Sequence, residues 1–154
     1  MLFRSHSRST KAQILVGAPG SEDFPDAGAA YVFRRVGERW RQDQRLAASD
    51  GFAPDHFGRS VGLSGDRLVV GQLGTVLFQP LGAVYVFAQH GVRWKEVARL
   101  TLNSNEPDFF GNPVAVSGND VLVGDDTQNG IGGAAYLFGL QPRSGSRGLT
   151  TEED

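Results

Sequence analysis

The 154-residue sequence has no cysteine, a single methionine and almost no excess of charge of either sign. Without cysteine the chain has no disulfide, no thiolate metal ligand and no cysteine nucleophile. Fifteen Lys and Arg side chains against seventeen Asp and Glu give a formal net charge of −2. This balance predicts neither a nucleic-acid footprint nor attraction to an anionic membrane. The apolar runs are also well short of the roughly 18 residues that a membrane-spanning helix needs.

The amino-terminal segment lacks the pattern of a secretory signal. Its apolar stretch from Ala12 to Ala18 is short and is interrupted by Gln13. A secretory signal has a continuous apolar region of about 7–15 residues followed by a small-residue cleavage site. We therefore expect no signal peptide in this chain.

Glycine, by contrast, is abundant. The 21 glycines make up about one residue in seven, roughly double the usual share, and they recur at intervals rather than in one cluster. Hydrophobic residues account for 40% of the chain and aromatic residues for 10%, which is enough for a packed core. Together these features predict short strands joined by many turns.

Several motifs recur in the same order with a period of about 53 residues. One is Gly-x-x-Tyr-(Val/Leu)-Phe, another is an apolar trio followed by glycine, and two more are a Phe-Gly pair and a tryptophan. In that order, they occupy 28–33, 82–87 and 133–138; 14–17, 68–71 and 121–124; 57–58 and 110–111; and Trp40 and Trp94. A fixed order at a fixed spacing is the mark of a repeat protein.

Each repeat unit predicts four antiparallel strands. Two apolar segments flank Gly65-Asp66, and two more flank Gly118-Asn119, and both pairs suit tight hairpins because their residues tolerate positive φ. The segment from Ala83 to Ala88 is rich in β-branched and aromatic residues, which favour strands. No segment has helical periodicity, so we predict an all-β chain. Four-stranded units of about 50 residues are typical of a β-propeller.

We therefore predict a partial β-propeller of about two and a half to three four-stranded blades. Residues 1–11 correspond to a degraded first strand of the first blade, and 12–56 to its other three strands. Residues 57–109 form a complete second blade, and 110–140 supply three strands of a third. The polar segment 141–154 is expected to be a disordered tail.

The motifs resemble the FG-GAP repeat of integrin α-chain heads. The likeness is carried by Phe57-Gly58, by the Val-Gly-Ala-Pro sequence of Val16 to Pro19, and by the Gly-x-x-Tyr-Val-Phe strand. A tryptophan in strand four and the Ala-Ser-Asp-Gly run of Ala48 to Gly51 are similar to repeats of many bacterial surface and secreted proteins. The resemblance covers roughly residues 12 to 139 and implies an extracellular or cell-surface location.

The hairpins between strands one and two depart from the calcium-binding form of this repeat. In that form the hairpin is an Asp-rich loop whose oxygens surround the cation. Here the hairpins are Ser64 to Arg67 and Ser117 to Asp120, with one carboxylate each, whereas Ca²⁺ prefers six to eight oxygen ligands. We expect no tightly bound calcium and assign no metal or cofactor. A weak cation site, if one exists, is expected at Asp125, Asp126 and Asn129.

Acidic residues collect in loops that the propeller prediction places at one face. One interpretation is a ligand or cation site, and the other is that these side chains stabilise turns through their own backbone. The residues concerned are Glu22, Asp23, Asp26, Asp50, Asp55, Glu106, Asp108, Asp125 and Asp126. The three histidines are scattered, and no nucleophilic-serine motif occurs. We therefore assign no catalytic residue and expect no enzymatic activity.

Our hypothesis is a non-catalytic module of a surface or secreted protein that binds a protein or glycan through its loops. The alternatives are an accessory propeller of a hydrolase or lyase, and a truncated remnant without independent activity. We expect no nucleic-acid partner and no membrane insertion. Trp94 is expected to be a core residue rather than a ligand contact. Because a short stack of blades leaves two apolar ends, we expect self-association or completion by a longer propeller.

Overall fold

A computed structural model gives the fold of the chain, and it describes residues 12–20, 27–51, 56–73, 82–102, 109–125, 133–141 and 151–152. All the regular structure within these ranges is β-strand, in three antiparallel sheets. Among the same residues, no helix is long and apolar enough to span a membrane. The all-β prediction is confirmed.

Sheet 1 contains three strands in chain order. They are β1 (Gln13–Ala18), β2 (Ala29–Val36) and β3 (Arg39–Leu46). The turn between β2 and β3 places Gly37 at a φ of 63°, in the left-handed region that glycine adopts without strain. These strands are the ones predicted as strands two to four of the first repeat unit.

Sheet 2 contains all four strands of a repeat unit, again in chain order. They are β4 (Ser60–Ser64), β5 (Arg67–Gln72), β6 (Ala83–His90) and β7 (Arg93–Leu100). The β4–β5 hairpin turns at Gly65-Asp66, as the sequence predicts, with Ser64 and Arg67 as the last paired residues.

Sheet 3 contains β8 (Val114–Ser117), β9 (Asp120–Asp125), β10 (Ala134–Gly139) and β11 (Thr151–Glu152). The short strand β11 differs from the disordered tail expected over 141–154, because Thr151 pairs with Phe138 and Glu152 with Leu137. The physical reason is the open edge of β10, whose backbone N–H and C=O groups offer a template for another strand. Residues 142–150 and 153–154 lie outside the described part of the chain.

Sheet 2 lies between the other two sheets and is buried on both faces. One apolar cluster joins it to sheet 1 and a second joins it to sheet 3. Successive side chains of a strand point to opposite faces, so Leu68 and Val70 enter the first cluster while Val69 enters the second. This alternation explains why β5 and β6 are buried almost throughout.

Every sheet therefore has two distinct faces. We call the face that carries the tyrosine and phenylalanine of strand three the aromatic face. In sheet 2 this face packs against sheet 1 and contains Leu68, Val70, Tyr85 and Phe87. The opposite, aliphatic face of sheet 2 packs against sheet 3 and contains Val69, Val84 and Val86. At both junctions an aliphatic face meets an aromatic face.

Candidate functional site

The connections from strand two to strand three, and from each sheet to the next, emerge at one edge of the stack, which we call the loop face. Its described residues are 19–20, 27–28, 47–51, 56–59, 72–73, 82, 101–102, 109–113, 125 and 133. The tight hairpin turns lie at the opposite edge. The loop face is where the sequence places the acidic residues considered as ligands.

The phenylalanine of each Phe-Gly pair anchors the loop face to the core. Phe57 is fully buried and meets Tyr85 edge-to-face, with ring centroids 5.3 Å apart. Phe110 is equally buried and meets Tyr136 in the same way at 5.7 Å. The Phe57 amide also donates to the carbonyl oxygen of Ala27 at 2.9 Å. Each phenylalanine thus fixes the point at which one sheet passes into the next.

The glycines of the repeat allow the backbone to approach itself closely at these points. The glycine after each phenylalanine is in the left-handed region, with φ values of 98° at Gly58 and 104° at Gly111. Other glycines lie directly against the Phe-Gly backbone, so that an added Cβ would overlap one of its carbonyl oxygens. They are Gly17, Gly28, Gly71 and Gly82. The spacing of Phe-Gly and glycine in the sequence is therefore a packing requirement.

A polar cluster links the turn after β3 to the aromatic face of sheet 2. The Tyr85 hydroxyl donates to Asp50 Oδ1 at 2.7 Å, and Arg99 Nε lies 3.2 Å from Asp50 Oδ2. Arg99 Nε also donates to the Tyr85 hydroxyl at 3.3 Å, and its guanidinium carbon lies 5.7 Å from the centroid of the Tyr85 ring. Burial, together with the hydrogen bond to Asp50, raises the pKa of Tyr85 to about 12. Tyr85 is consequently a neutral hydrogen-bond donor at neutral pH.

Two further contacts join the same turn and β3 to β7. Ser49 donates to Glu96 through its amide at 3.1 Å and through its hydroxyl at 2.7 Å. The Gln44 side chain donates to the Trp94 carbonyl oxygen at 2.8 Å and accepts from the Trp94 amide at 2.9 Å. These side chains of β3, of the turn after it and of β7 therefore link sheets 1 and 2.

Asp125, one of the carboxylates considered as a cation ligand, has a structural partner. It is buried, and its Oδ1 accepts a hydrogen bond from the Phe109 amide at 3.1 Å. His56, at the position equivalent to Phe109, adopts a φ of 54°, and its Nδ1 lies 2.9 Å from the Gly20 carbonyl oxygen. Each of these contacts involves the residue directly before a Phe-Gly pair.

The remaining acidic candidates lie outside the described residues. These are Glu22, Asp23, Asp26, Asp55, Glu106, Asp108 and Asp126, and Asn129 lies outside as well. Within the described ranges, no group of three or more His, Asp or Glu side chains could hold a metal ion. In the β4–β5 hairpin, the Asp66 carboxylate lies 2.8 Å from the Arg67 guanidinium.

The prediction that Trp94 is a core residue is confirmed, because only 3% of its surface is exposed. Trp40 occupies the same repeat position but is 43% exposed. The contact between Asp50 and Tyr85 was not predicted. The Ala-Ser-Asp-Gly run and the recurring tyrosine were its only signals in the sequence, and neither indicates that the two residues meet.

Comparison with known proteins agrees with this geometry. A family model described as FG-GAP repeat matches residues 40–87 and 94–138, which together are more than half of the chain. Each matched segment begins at the tryptophan of strand four and ends at the phenylalanine of the next strand three. Each match therefore crosses one of the sheet junctions described above. No curated protein matches the chain.

Proposed function

Because the chain belongs to the FG-GAP repeat family, we propose that its sheets are blades of a β-propeller and that it is a non-catalytic binding module. The blade assignment is supported by three antiparallel sheets that stack face to face in chain order. Propellers are built from four-stranded sheets repeated in this way. The family resemblance supports an extracellular or cell-surface location for the module.

The observation that carries the proposal is the attachment of the loop face to the packed core. Phe57 and Phe110 are fully buried where the loops enter the sheets, and Asp125 fixes the backbone of Phe109. Binding residues are commonly carried on loops that a packed scaffold positions. We therefore propose that a protein or glycan ligand binds at the loop face.

The non-catalytic part of the proposal is supported by the pairing of Asp50 and Glu96 at the junction of sheets 1 and 2. Asp50 is engaged by Tyr85 and Arg99, and Glu96 is engaged by Ser49. General acid–base catalysis needs a group whose pKa lies near the working pH, whereas the pKa of Tyr85 is raised to about 12. The contacts of these groups give them a structural role in joining sheets 1 and 2.

The proposal is tested by applying the labelled chain to an array of defined oligosaccharides and to an array of purified extracellular-matrix proteins. Two arginine variants of exposed residues provide a matched pair. Thr101→Arg adds bulk and charge at the loop face, and Val92→Arg does the same at the opposite hairpin edge, where Val92 is 69% exposed. We expect binding to be lost in Thr101→Arg and kept in Val92→Arg.

Three results would contradict the proposal. The first is binding that survives Thr101→Arg and is lost in Val92→Arg, which would move the site to the hairpin edge. The second is no binding to either array. The third is cleavage of an array oligosaccharide, detected by mass spectrometry of the released product, which would show a catalytic activity.

A further inference from the structure

Both outer faces of the stack expose apolar side chains. On sheet 1, Ile14 is 42% exposed and Val16 is 44% exposed. On sheet 3, Leu122 is 48% exposed and Leu137 is 57% exposed. Leu122 and Leu137 are paired across β9 and β10, so they form one continuous patch. Exposed apolar patches of this kind mark interaction surfaces.

The exposed face of sheet 1 is its aromatic face. Tyr31 pairs with Val16 and Phe33 with Ile14, so that these four side chains share one side of the sheet. In the repeat they occupy the positions of Tyr85, Val70, Phe87 and Leu68, which form the buried aromatic face of sheet 2. Sheet 1 thus repeats a surface that is covered by an aliphatic face elsewhere in the molecule.

The exposed face of sheet 3 is its aliphatic face. Leu122 and Leu137 occupy the repeat positions of Val69 and Val86, which pack against sheet 3 from sheet 2. Ala135 occupies the position of Val84 and is also exposed. The outer face of sheet 3 is thus an aliphatic face, and an aliphatic face covers an aromatic face at both internal junctions.

The charges at the hairpin edge of the two outer faces are also complementary. Asp120 lies on the same side of β9 as Leu122, two residues away, at the hairpin end of the strand. Arg35 lies on the same side of β2 as Phe33, also at a hairpin end. When the faces pack in the orientation of the internal junctions, these opposite charges come to the same edge.

We propose that sheet 3 of one copy packs its aliphatic face on the aromatic face of sheet 1 of a second copy, and that the reverse contact closes a dimer. Such a head-to-tail contact joins two different surfaces and produces a ring when its rotation closes. The copy number rests on the proposed propeller function. Two copies bring together six sheets, within the roughly four to eight blades of closed propellers, whereas three copies exceed it.

The proposal is tested by measuring the solution mass of the full chain by light scattering over a range of concentrations. Ile14→Arg places a charge in the aromatic face of sheet 1, Leu137→Arg places one in the aliphatic face of sheet 3, and Val92→Arg is the control. We expect about twice the single-chain mass of 16.6 kDa for the unmodified protein and the control. Each face variant is expected to have the single-chain mass and to keep the strand signal in circular dichroism.

Mixing the two face variants identifies which surfaces pair. Ile14→Arg keeps an intact sheet 3 face, and Leu137→Arg keeps an intact sheet 1 face, so an equimolar mixture retains one complete head-to-tail contact. We expect the mixture to recover a species of doubled mass that neither variant forms alone. This recovery also shows that both variants are folded.

Other outcomes overturn the proposal. A single-chain mass for the unmodified protein at every concentration would show that the two faces do not pair between copies. A mass that grows without limit would exclude the closed ring, and a mixture that stays at the single-chain mass would exclude head-to-tail pairing. Array binding by single-chain variants would support the proposed binding function without the dimer. Doubled mass without array binding would support the dimer without the binding function.

Discussion

Sheets 1 and 2 carry tryptophan and tyrosine at equivalent positions of the repeat but differ in what covers these side chains. Trp94 and Trp40 both belong to strand four, yet Trp94 is 3% exposed and Trp40 is 43% exposed. Tyr85 is fully buried, whereas its counterpart Tyr31 is only half-buried. In each case sheet 1 covers the residue of sheet 2. The repeat thus determines which residues form a face, and the neighbouring sheet determines whether that face is buried.

The largest expected difference between the two sheets is in their tryptophans. Trp94→Ala should lower the free energy of unfolding by about 3–5 kcal/mol, as is usual for a buried large aromatic residue. Trp40→Ala should lower it by about 1 kcal/mol or less, because much of its side chain is already in water. Both are measured by urea unfolding in the Leu137→Arg background, which removes any contact between copies. Equal losses would mean that the two tryptophans are not in different environments.

Glycines at a sheet junction and on an outer face should also differ. In Gly71→Ala the added methyl group would overlap the carbonyl oxygen of Gly111, and we expect a loss of about 3 kcal/mol, since the backbone has little room to move. Gly139 lies in β10 with no atom within 4 Å of an added Cβ. Gly139→Ala should leave stability unchanged or raise it by about 0.4–1 kcal/mol. Similar melting temperatures for the two variants would contradict the close approach at the junction.

The tyrosine hydroxyls provide a smaller contrast. Tyr85→Phe removes the hydrogen bond to Asp50 and should lower the free energy of unfolding by about 1–2 kcal/mol. Tyr31→Phe should change it by less than about 0.5 kcal/mol. Chemical unfolding of the two single variants measures the difference. A larger loss of stability for Tyr31→Phe than for Tyr85→Phe would contradict the stabilising role of the hydrogen bond between Tyr85 and Asp50.

The raised pKa of Tyr85 predicts a modest loss of stability at high pH. The pKa of Tyr85 is about 12 in the folded chain against an ordinary value of 10.0, so that folding favours the neutral phenol. Its contribution is complete below about pH 10 and is lost as the pH rises towards 12, because the unfolded chain releases the proton more readily. Unfolding curves across this range should show the loss, and Tyr85→Phe should lack that component. If the stability of the unmodified protein and of Tyr85→Phe depended on pH in the same way, the raised pKa of Tyr85 would be contradicted.

Much of the fold follows from local sequence patterns. The apolar run of Arg67 to Gly71 and the β-branched and aromatic residues of Ala83 to Ala88 predict strands, and Gly65-Asp66 predicts a tight hairpin. The structure confirms these features. These features depend on residues close together in the chain. The loop face was predicted only as a place where acidic residues collect.

Other features depend on which elements meet. Trp40 and Trp94 are indistinguishable by repeat position, so their exposure is decided by the stack. Thr151 forms a strand because β10 leaves an edge open to it. Asp50 reaches Tyr85 across 35 residues and between two sheets. No local pattern in the sequence contains this information.

Fluorescence quenching by iodide in single-tryptophan variants tests most directly whether an aromatic face is buried only where an aliphatic face covers it. Trp94→Phe leaves Trp40 as the emitter, and Trp40→Phe leaves Trp94. In the Leu137→Arg background we predict strong quenching of Trp40 and little of Trp94. Without Leu137→Arg, at a concentration at which light scattering gives the doubled mass, we predict that Trp40 is as protected from iodide as Trp94. Quenching of Trp40 that stays unchanged between these two conditions would contradict the account.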